Sequence, residues 1–243
     1  MAATQPELVR DVETCVDRIL ETVGYKIVFG MPLALGKPNH IANALYLRAK
    51  NDPAIDLTII TALSLKKPAP SSPLEARLLD PIVKRIWDSF VEFKYMKDLR
   101  KKQLPENVTI SEFFTKAGGY LNSPYAQQHY ISTNYTHAVR DLIDNGLNVL
   151  GNLITPHPEG NPDLFSMSCN PDLVLEAFEK LLAEKQKGHK YMILGQVNSN
   201  LPYMYGDAVV ESWNYDMILD APDYDFPLFS VPKASVSFPW RTI

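Results

Sequence analysis

The sequence predicts an α/β fold built on an open, mostly parallel sheet flanked by helices. Apolar, β-branched runs at residues 25–29, 55–63 and 191–197 are largely continuous, as expected of strands covered on both faces. Segments with apolar residues at helical spacing separate these runs. Strands that alternate with helices favour parallel pairing through right-handed crossovers.

Composition and charge narrow the class of protein. A chain of 243 residues suits one large α/β domain or two small ones. The net charge of −4 argues against a general nucleic-acid surface, and no window is long and apolar enough to span a bilayer. The cysteines, Cys15 and Cys169, lie far apart, and no signal segment precedes the first predicted helix. We therefore expect a reduced, cytoplasmic protein with neither nucleic acid nor a membrane as partner.

The amino-terminal segment, residues 1–24, predicts a helix packed on the main domain. Apolar residues from Leu8 to Ile19 fall at helical spacing between Pro6 and Val23. Thr4 is a candidate N-cap, and Gly24 ends the helix. Cys15 lies on the apolar stripe, which predicts a packing thiol.

Residues 25–45 predict a strand (25–29), a loop (30–37) and a helix that opens at Pro38. In an open parallel sheet, ligands bind at the carboxyl ends of strands, and the first amides of a helix favour an anion. We therefore expect a ligand over residues 30–39. The equally weighted alternative is a surface turn whose glycines serve backbone geometry only.

The same stretch is not a phosphate-binding P-loop. That motif has four residues between its first glycine and Gly-Lys, followed by Ser or Thr. Here five residues separate Gly30 from Gly36, and Pro38 follows Lys37. An NTPase activity is thus excluded by the spacing and by the missing hydroxyl.

The remaining elements continue the alternation of strands and helices. A Ser- and Pro-rich loop that begins at Ser64 follows the second strand, and residues 108–114 suit either a strand or a short helix. The other predicted elements are a helix at 74–90, an exposed helix and connector at 94–106, a polar helical turn at 121–130, a helix at 136–145, strands at 147–155, 164–168 and 191–197, a helix from 172 to 188, and short strands and turns after 208.

Familiar catalytic motifs are missing from the sequence. It contains no G-x-S-x-G, H-E-x-x-H, C-x-x-C or G-x-G-x-x-G pattern. Its histidines do not have the spacing of metal ligands, so we expect no metal site. His137 and Asp141 suit a helix-surface pair. His157 is the one histidine placed for a general base, and a simple loop residue explains it better.

Polar residues just after strands or before helices are more informative as a set. In a parallel sheet they would converge on one rim, where hydroxyls and amides orient a substrate without supplying a strong nucleophile. This set comprises residues 30–37, Ser64, Thr133, Asn134, Gln196 and Asn198.

Three segments together resemble the amino-terminal half of the acetyl-CoA hydrolase/transferase (family I CoA-transferase) proteins. They are VFGMPLALGKPNHIANAL, LFSMSCNPDL after a TPHPEG loop, and MILGQVNSNLPYMYGDAVV. The last contains a V-N-x-x-(L/M)-P pattern followed by glycine, here Val197, Asn198, Leu201, Pro202 and Gly206. Each motif is short, so the resemblance rests on their order along nearly the whole chain.

The resemblance implies a CoA-transferase-like fold and a two-domain enzyme that moves coenzyme A between a thioester and a carboxylate, or hydrolyses the thioester. Residues 25–220 would form its amino-terminal domain, and the Pro- and aromatic-rich residues 221–243 a tail or linker toward a carboxyl-terminal domain. The nucleophilic glutamate would belong to that second half. No catalytic residue is therefore assigned here, and Glu112 and Glu211 are expected to be solvated or helix-surface residues.

The resemblance also implies site residues and partners. The partners would be an acyl-CoA, a small carboxylic acid, the protein's own carboxyl-terminal domain and a possible second copy of the chain. Two alternatives stay open: an α/β enzyme similar to sugar-phosphate isomerases, and a non-catalytic binding module that retains the fold. The expected coenzyme A contacts are Gly30, Pro32, Gly36, Lys37 and Asn198, and the expected substrate contacts are Ser64, Thr133, Asn134 and Gln196.

Overall fold

The structure is a computed structural model that describes residues 5–87 and 89–227. Its strands are β1 (Glu7–Val9), β2 (Lys26–Leu33), β3 (Asp56–Ala62), β4 (Val108–Glu112), β5 (Val149–Pro156), β6 (Leu164–Ser166), β7 (Met192–Val197), β8 (Val209–Glu211) and β9 (Met217–Leu219). Its helices are α1 (Val12–Val23), α2 (Asn39–Asn51), α3 (Pro73–Trp87), α4 (Lys94–Lys101), α5 (Pro124–Gln128), α6 (Ala138–Asp144) and α7 (Pro171–Gln186).

A parallel sheet organises the molecule, with strand order β1-β9-β7-β5-β2-β3-β4. Every pairing along this path is parallel. The chain runs outward from β2 through β3 to β4, and then returns to β5 on the other side of β2. The strand order therefore reverses between β2 and β5, the kind of position where open α/β sheets bind ligands. The short strands β6 and β8 extend from the carboxyl end of β5 by antiparallel pairing.

Helices cover both faces of the sheet, and successive strand residues serve the two faces in turn. On β2, Ile27 and Phe29 pack in one apolar cluster with α1, α2 and α4, whereas Val28 packs in another with α6 and α7. A third, smaller apolar cluster lies at the carboxyl edge of the sheet. Its position follows from Leu35, Leu65 and Leu201, which come shortly after β2, β3 and β7. It contains Phe90, Leu153, Leu201 and Phe226, with Leu35 and Leu65 packed against them.

The amino-terminal segment differs from its predicted single helix. Residues Glu7–Val9 form β1, because they pair with Met217–Leu219 at the edge of the sheet. The helix α1 begins only at Val12, where the Asp11 carboxylate caps it by accepting a hydrogen bond from the Thr14 amide at 2.8 Å. The predicted cap, Thr4, lies outside the described residues.

The loop predicted at residues 30–37 is shorter than expected. Strand β2 continues to Leu33, because Leu33 pairs with Ala62 of β3 after a register shift between Gly30 and Leu33. A single 3₁₀ turn, Ala34–Gly36, then leads to α2. Gly30 lies inside the strand, where a Cβ atom would stand 2.5 Å from Leu147 Cδ1. Close packing, not loop geometry, requires that glycine.

Two further helices depart from expectation. The segment predicted as an exposed helix contains α4, whose Tyr95, Met96 and Leu99 are buried. Helix α3 forms as predicted, but none of its residues is buried, and Leu74 and Leu78 of its apolar stripe are 77% and 72% exposed. The undecided segment after α4 is the strand β4.

The carboxyl-terminal part of the described chain lies against the sheet edge. Phe226 is buried, and its carbonyl accepts a hydrogen bond from Asn198 Nδ2 at 2.9 Å. Residues 228–243 of the predicted tail lie outside the described residues. In the described part of the chain, no helix has both the length and the apolar character needed to cross a membrane.

Candidate active site at the carboxyl edge of the sheet

Three neighbouring strands, β2, β3 and β4, bring one polar side chain each to the carboxyl edge. Lys37 follows β2 after the 3₁₀ turn, Ser64 follows β3, and Glu112 is the last residue of β4. The backbone is strained at two of these exits. Ala34 has φ 50° and Leu63 has φ 49°, values that non-glycine residues rarely adopt and that cluster at functional sites.

Lys37 is fully buried, and its Nζ has no hydrogen-bond partner among the described residues. The nitrogen lies 5.3 Å from the centroid of the Phe93 ring, a cation–π distance. Burial lowers the pKa of Lys37 to about 7, although the nearby Glu112 carboxylate acts in the opposite direction. A buried amine that titrates near neutral pH is suited to bind an anion or to transfer a proton.

Glu112 is also buried, at 7% exposure, which corrects the prediction that it is solvated. Its Oε1 accepts a hydrogen bond from the Ser64 amide at 3.2 Å. Burial raises the pKa of Glu112, while Lys37 and Ser64 oppose the rise. By contrast, Glu211 on β8 is exposed, as predicted. The signal for Glu112 was the single acidic residue of the segment 108–114, and it stayed hidden because that segment equally suited a helix.

Ser64 links this pair to a buried tyrosine. Its hydroxyl oxygen lies 2.8 Å from the hydroxyl of Tyr95, which is fully buried on α4. Burial and the Glu112 carboxylate both raise the pKa of Tyr95 well above its usual range. Tyr95 therefore keeps its proton and can fix the orientation of the Ser64 hydroxyl.

Lys37 and Glu112 form a coupled pair. The shifts bring the pKa values of the two groups toward each other. The pair has two neutral arrangements: charged Lys37 with ionised Glu112, and neutral Lys37 with protonated Glu112. The shifts bring these two arrangements closer in energy. Both arrangements have no net charge. Movement of a proton from Glu112 to Lys37 therefore leaves the net charge of the pair unchanged.

An open cleft of about 660 Å³ lies over Ser64 and Glu112. Its volume falls within the range of about 300–1,000 Å³ found for small-molecule sites. Helix α3 forms one wall through Glu75, Leu79 and Trp87. The opposite wall carries cationic and aromatic side chains, among them Lys66, Lys67, Arg100, Lys116 and Tyr120.

Other predicted site residues serve the scaffold. Gln196 is fully buried, and its Oε1 accepts hydrogen bonds from the amides of His40 and Ile41 at 3.2 and 3.4 Å, so that it holds the first turn of α2. Asn198 uses its Nδ2 for Phe226 and its Oδ1 for the Asn200 amide. Neither side chain lines the cleft.

Thr133 and Asn134 also make local hydrogen bonds. Thr133 Oγ1 donates to the Asn134 carbonyl at 3.1 Å, and Asn134 Oδ1 accepts from the His137 amide at 3.1 Å. The Asn134 side chain thereby caps the 3₁₀ turn Tyr135–His137. Their assignment to substrate binding stays a prediction.

The glycine and proline expected to contact coenzyme A shape the turn before α2. A Cβ atom on Gly36 would stand 2.8 Å from Asn170 Oδ1 and 3.2 Å from Pro32 Cγ. The Pro32 carbonyl accepts a hydrogen bond from Thr61 Oγ1 at 3.1 Å, which ties β2 to β3 next to the site. These contacts fix the position from which Lys37 enters the interior.

Comparisons with known proteins bear on the fold. No family model matches the chain, and neither does any curated protein. A mutant of RipA is similar with a TM-score of 0.59 and 16% identity over 95% of this chain and 45% of its own. RipA from Yersinia pestis is similar with a TM-score of 0.52 and 17% identity over the same shares. A 4-hydroxybutyrate CoA-transferase from Porphyromonas gingivalis has a TM-score of 0.45 and 16% identity, over 91% and 40% of the two chains.

The likeness to RipA confirms the predicted fold class, an open and mostly parallel α/β sheet flanked by helices. The chain spans less than half the length of the RipA structures that it matches.

Proposed function

We propose that this chain is the amino-terminal domain of an acyl-CoA:carboxylate CoA-transferase or acyl-CoA hydrolase, and that it forms one wall of the cleft. The observation that carries the proposal is the convergence of Lys37, Ser64 and Glu112 from three adjacent strand ends beside a cleft of about 660 Å³. The ordered sequence motifs described above support the choice of coenzyme A chemistry. The nucleophilic glutamate would come from residues outside this chain.

The roles of the three residues follow from their surroundings. The Ser64 hydroxyl faces the cleft and is held by Tyr95, so it can donate to the thioester carbonyl or to the substrate carboxylate. The Lys37 amine lies behind it, and a substrate anion would favour the charged form of that amine, which then supplies positive charge. The Ser64 hydroxyl is a weak nucleophile, which suits a wall that orients substrate for a carboxylate from elsewhere.

The proposal is tested by calorimetric titration of the chain with acetyl-CoA. We expect Ser64→Ala to weaken binding by roughly tenfold, because a buried hydrogen bond contributes about 1–2 kcal/mol and 1.4 kcal/mol corresponds to a factor of ten. Ser199→Ala is the matched control, since Ser199 is an exposed serine that follows strand β7 and does not line the cleft. Absence of acetyl-CoA binding, or equal binding by the Ser64 variant and the wild type, contradicts the proposal.

The cationic wall of the cleft also suits a second candidate, an enzyme that acts on a sugar phosphate. Arg100, Lys66 and Lys116 would then hold the phosphate, and the Lys37–Glu112 pair would move a proton on the sugar. Incubation of the chain with ribose 5-phosphate, followed by NMR of the sugar protons, separates the two. Turnover by the chain alone favours the isomerase, whereas acetyl-CoA binding without sugar turnover favours the first candidate.

A further inference from the structure

Helix α4 presents four cations to solvent: Lys94, Lys97, Arg100 and Lys101. With Lys66 from the loop after β3 and Lys116 from the segment after β4, they surround two adjoining clefts of about 450 and 660 Å³, which share Lys66, Met96 and Arg100. We call these six residues the cationic surface. It stands out on a chain whose net charge is −4.

The six cations of the cationic surface are not ion-paired within the described part of the chain. Cations elsewhere are, as Arg48 is with Glu13 and Asp17. Among the described residues, three carboxylates line the two clefts, those of Glu75, Glu92 and Glu112. The six cations outnumber them, so the described lining keeps a net positive charge.

Helix stability explains only part of this arrangement. Arg100 and Lys101 lie in the last turn of α4, where cations interact favourably with the helix dipole. Lys94 opens the helix, where a cation is unfavourable, and Lys97 is three or four residues from Lys94, Arg100 and Lys101. Like charges at this spacing repel and destabilise a helix. The charges of Lys94 and Lys97 therefore do not stabilise the helix, and a bound anion would relieve the repulsion between the cations.

The lining of the smaller cleft indicates the kind of anion. Phe93 and Met96 are among the lining residues, but they are only 2% and 4% exposed, so the accessible lining consists mainly of the cationic side chains and their aliphatic stems. Several cations around two adjoining clefts are complementary to a ligand that carries more than one phosphate. We propose that the cationic surface binds the diphosphate of a nucleotide.

The nucleotide is either free or the nucleotide end of coenzyme A. The second source rests on the proposed function, and it is consistent with the continuity of the two clefts, since the larger one contains Ser64 and Glu112.

Calorimetric titrations of the whole chain distinguish these sources. Coenzyme A, ADP, pyrophosphate and pantetheine are the four probes, and pantetheine carries the reactive thiol without any phosphate. The variants are the double substitution Lys97→Gln with Arg100→Gln, and Lys26→Gln as the control. Lys26 is an exposed cation at the amino end of β2, on the opposite edge of the sheet.

We expect coenzyme A and ADP to bind, pantetheine not to bind, and the double variant to weaken both nucleotides by about tenfold or more, with Lys26→Gln unchanged. Weaker binding at higher salt is expected as well, because exposed charges are screened. If the wild type binds ADP and the double variant binds it more weakly, the inference is supported, even if acetyl-CoA turnover is absent. In that case only the proposed function is contradicted. Nucleotide binding that is unaffected by the double variant, or absence of nucleotide binding, overturns the inference. Binding of pyrophosphate without ADP would reveal a site for inorganic diphosphate alone and overturns the inference.

Discussion

Substitution of Lys37 by Met should change how the stability of the protein depends on pH. The pKa of Lys37 is about 7 in the folded protein, against 10.5 in the unfolded chain. Between these values the unfolded state holds the proton and the folded state does not, so the free energy of unfolding rises with pH. The contribution of Lys37 is least favourable below pH 7, where the buried amine must stay charged, and its penalty disappears above the unfolded pKa.

The magnitude follows from the same two pKa values. Each pH unit in the window adds about 1.4 kcal/mol, so from about pH 7.5 to about pH 9.5 the wild type should gain about 2.5 kcal/mol relative to Lys37→Met.

Urea unfolding followed by tryptophan fluorescence measures the effect at both pH values. Lys26→Met is the control, since Lys26 is exposed at the amino end of β2 and its substitution should leave the pH dependence of the wild type unchanged. A wild-type minus Lys37→Met difference that is the same at both pH values would refute the reasoning, since Lys37 would then titrate as an exposed lysine.

Three other predictions concern Glu112, Asn107 and Gly151. Glu112→Gln should gain stability relative to the wild type as the pH rises above 4.5, because the raised pKa of the buried carboxyl makes its ionisation unfavourable. Urea unfolding between about pH 4.5 and about pH 6 measures this, and a difference in unfolding free energy between the two proteins that stays constant with pH contradicts it. Asn107→Ala should lower the unfolding free energy by about 1–3 kcal/mol, since its amide donates to the Ala49 and Ile55 carbonyls at 2.8 Å each; an unchanged urea midpoint would refute this. Gly151→Ala should lower it by about 1–3 kcal/mol, because a Cβ atom would stand 2.8 Å from the Phe29 ring; a thermal melt as high as that of the wild type argues against it.

The sequence was most informative where one local signal decided the structure. Continuous apolar runs predicted the strands β3 and β7 and the first part of β2, and the spacing of apolar residues predicted helix α7. Residues 7–9 were assigned to a helix because their pattern continues that of α1. Their pairing with β9 depends on residues far along the chain, which no local window contains.

The site could be predicted in position but only partly in composition. The carboxyl edge was expected from the alternation of elements, and Lys37 and Ser64 were among the candidates. Glu112 was missed because its burial results from the arrangement of α4 and the loop after β3. Gln196 and Asn198 lie at the predicted edge, but their polar atoms are engaged by α2 and by Phe226, partners that the sequence does not reveal.

The pairing of β1 with β9 has a consequence for how the molecule assembles. Glu7 lies opposite Met217, so β1 meets its neighbour only after nearly all of the described chain has been made. Contacts of such long sequence separation slow folding, because a large loop must be closed before they form. During synthesis the segment around Leu8 therefore stays unpaired until β9 has been made, and this edge of the sheet forms late.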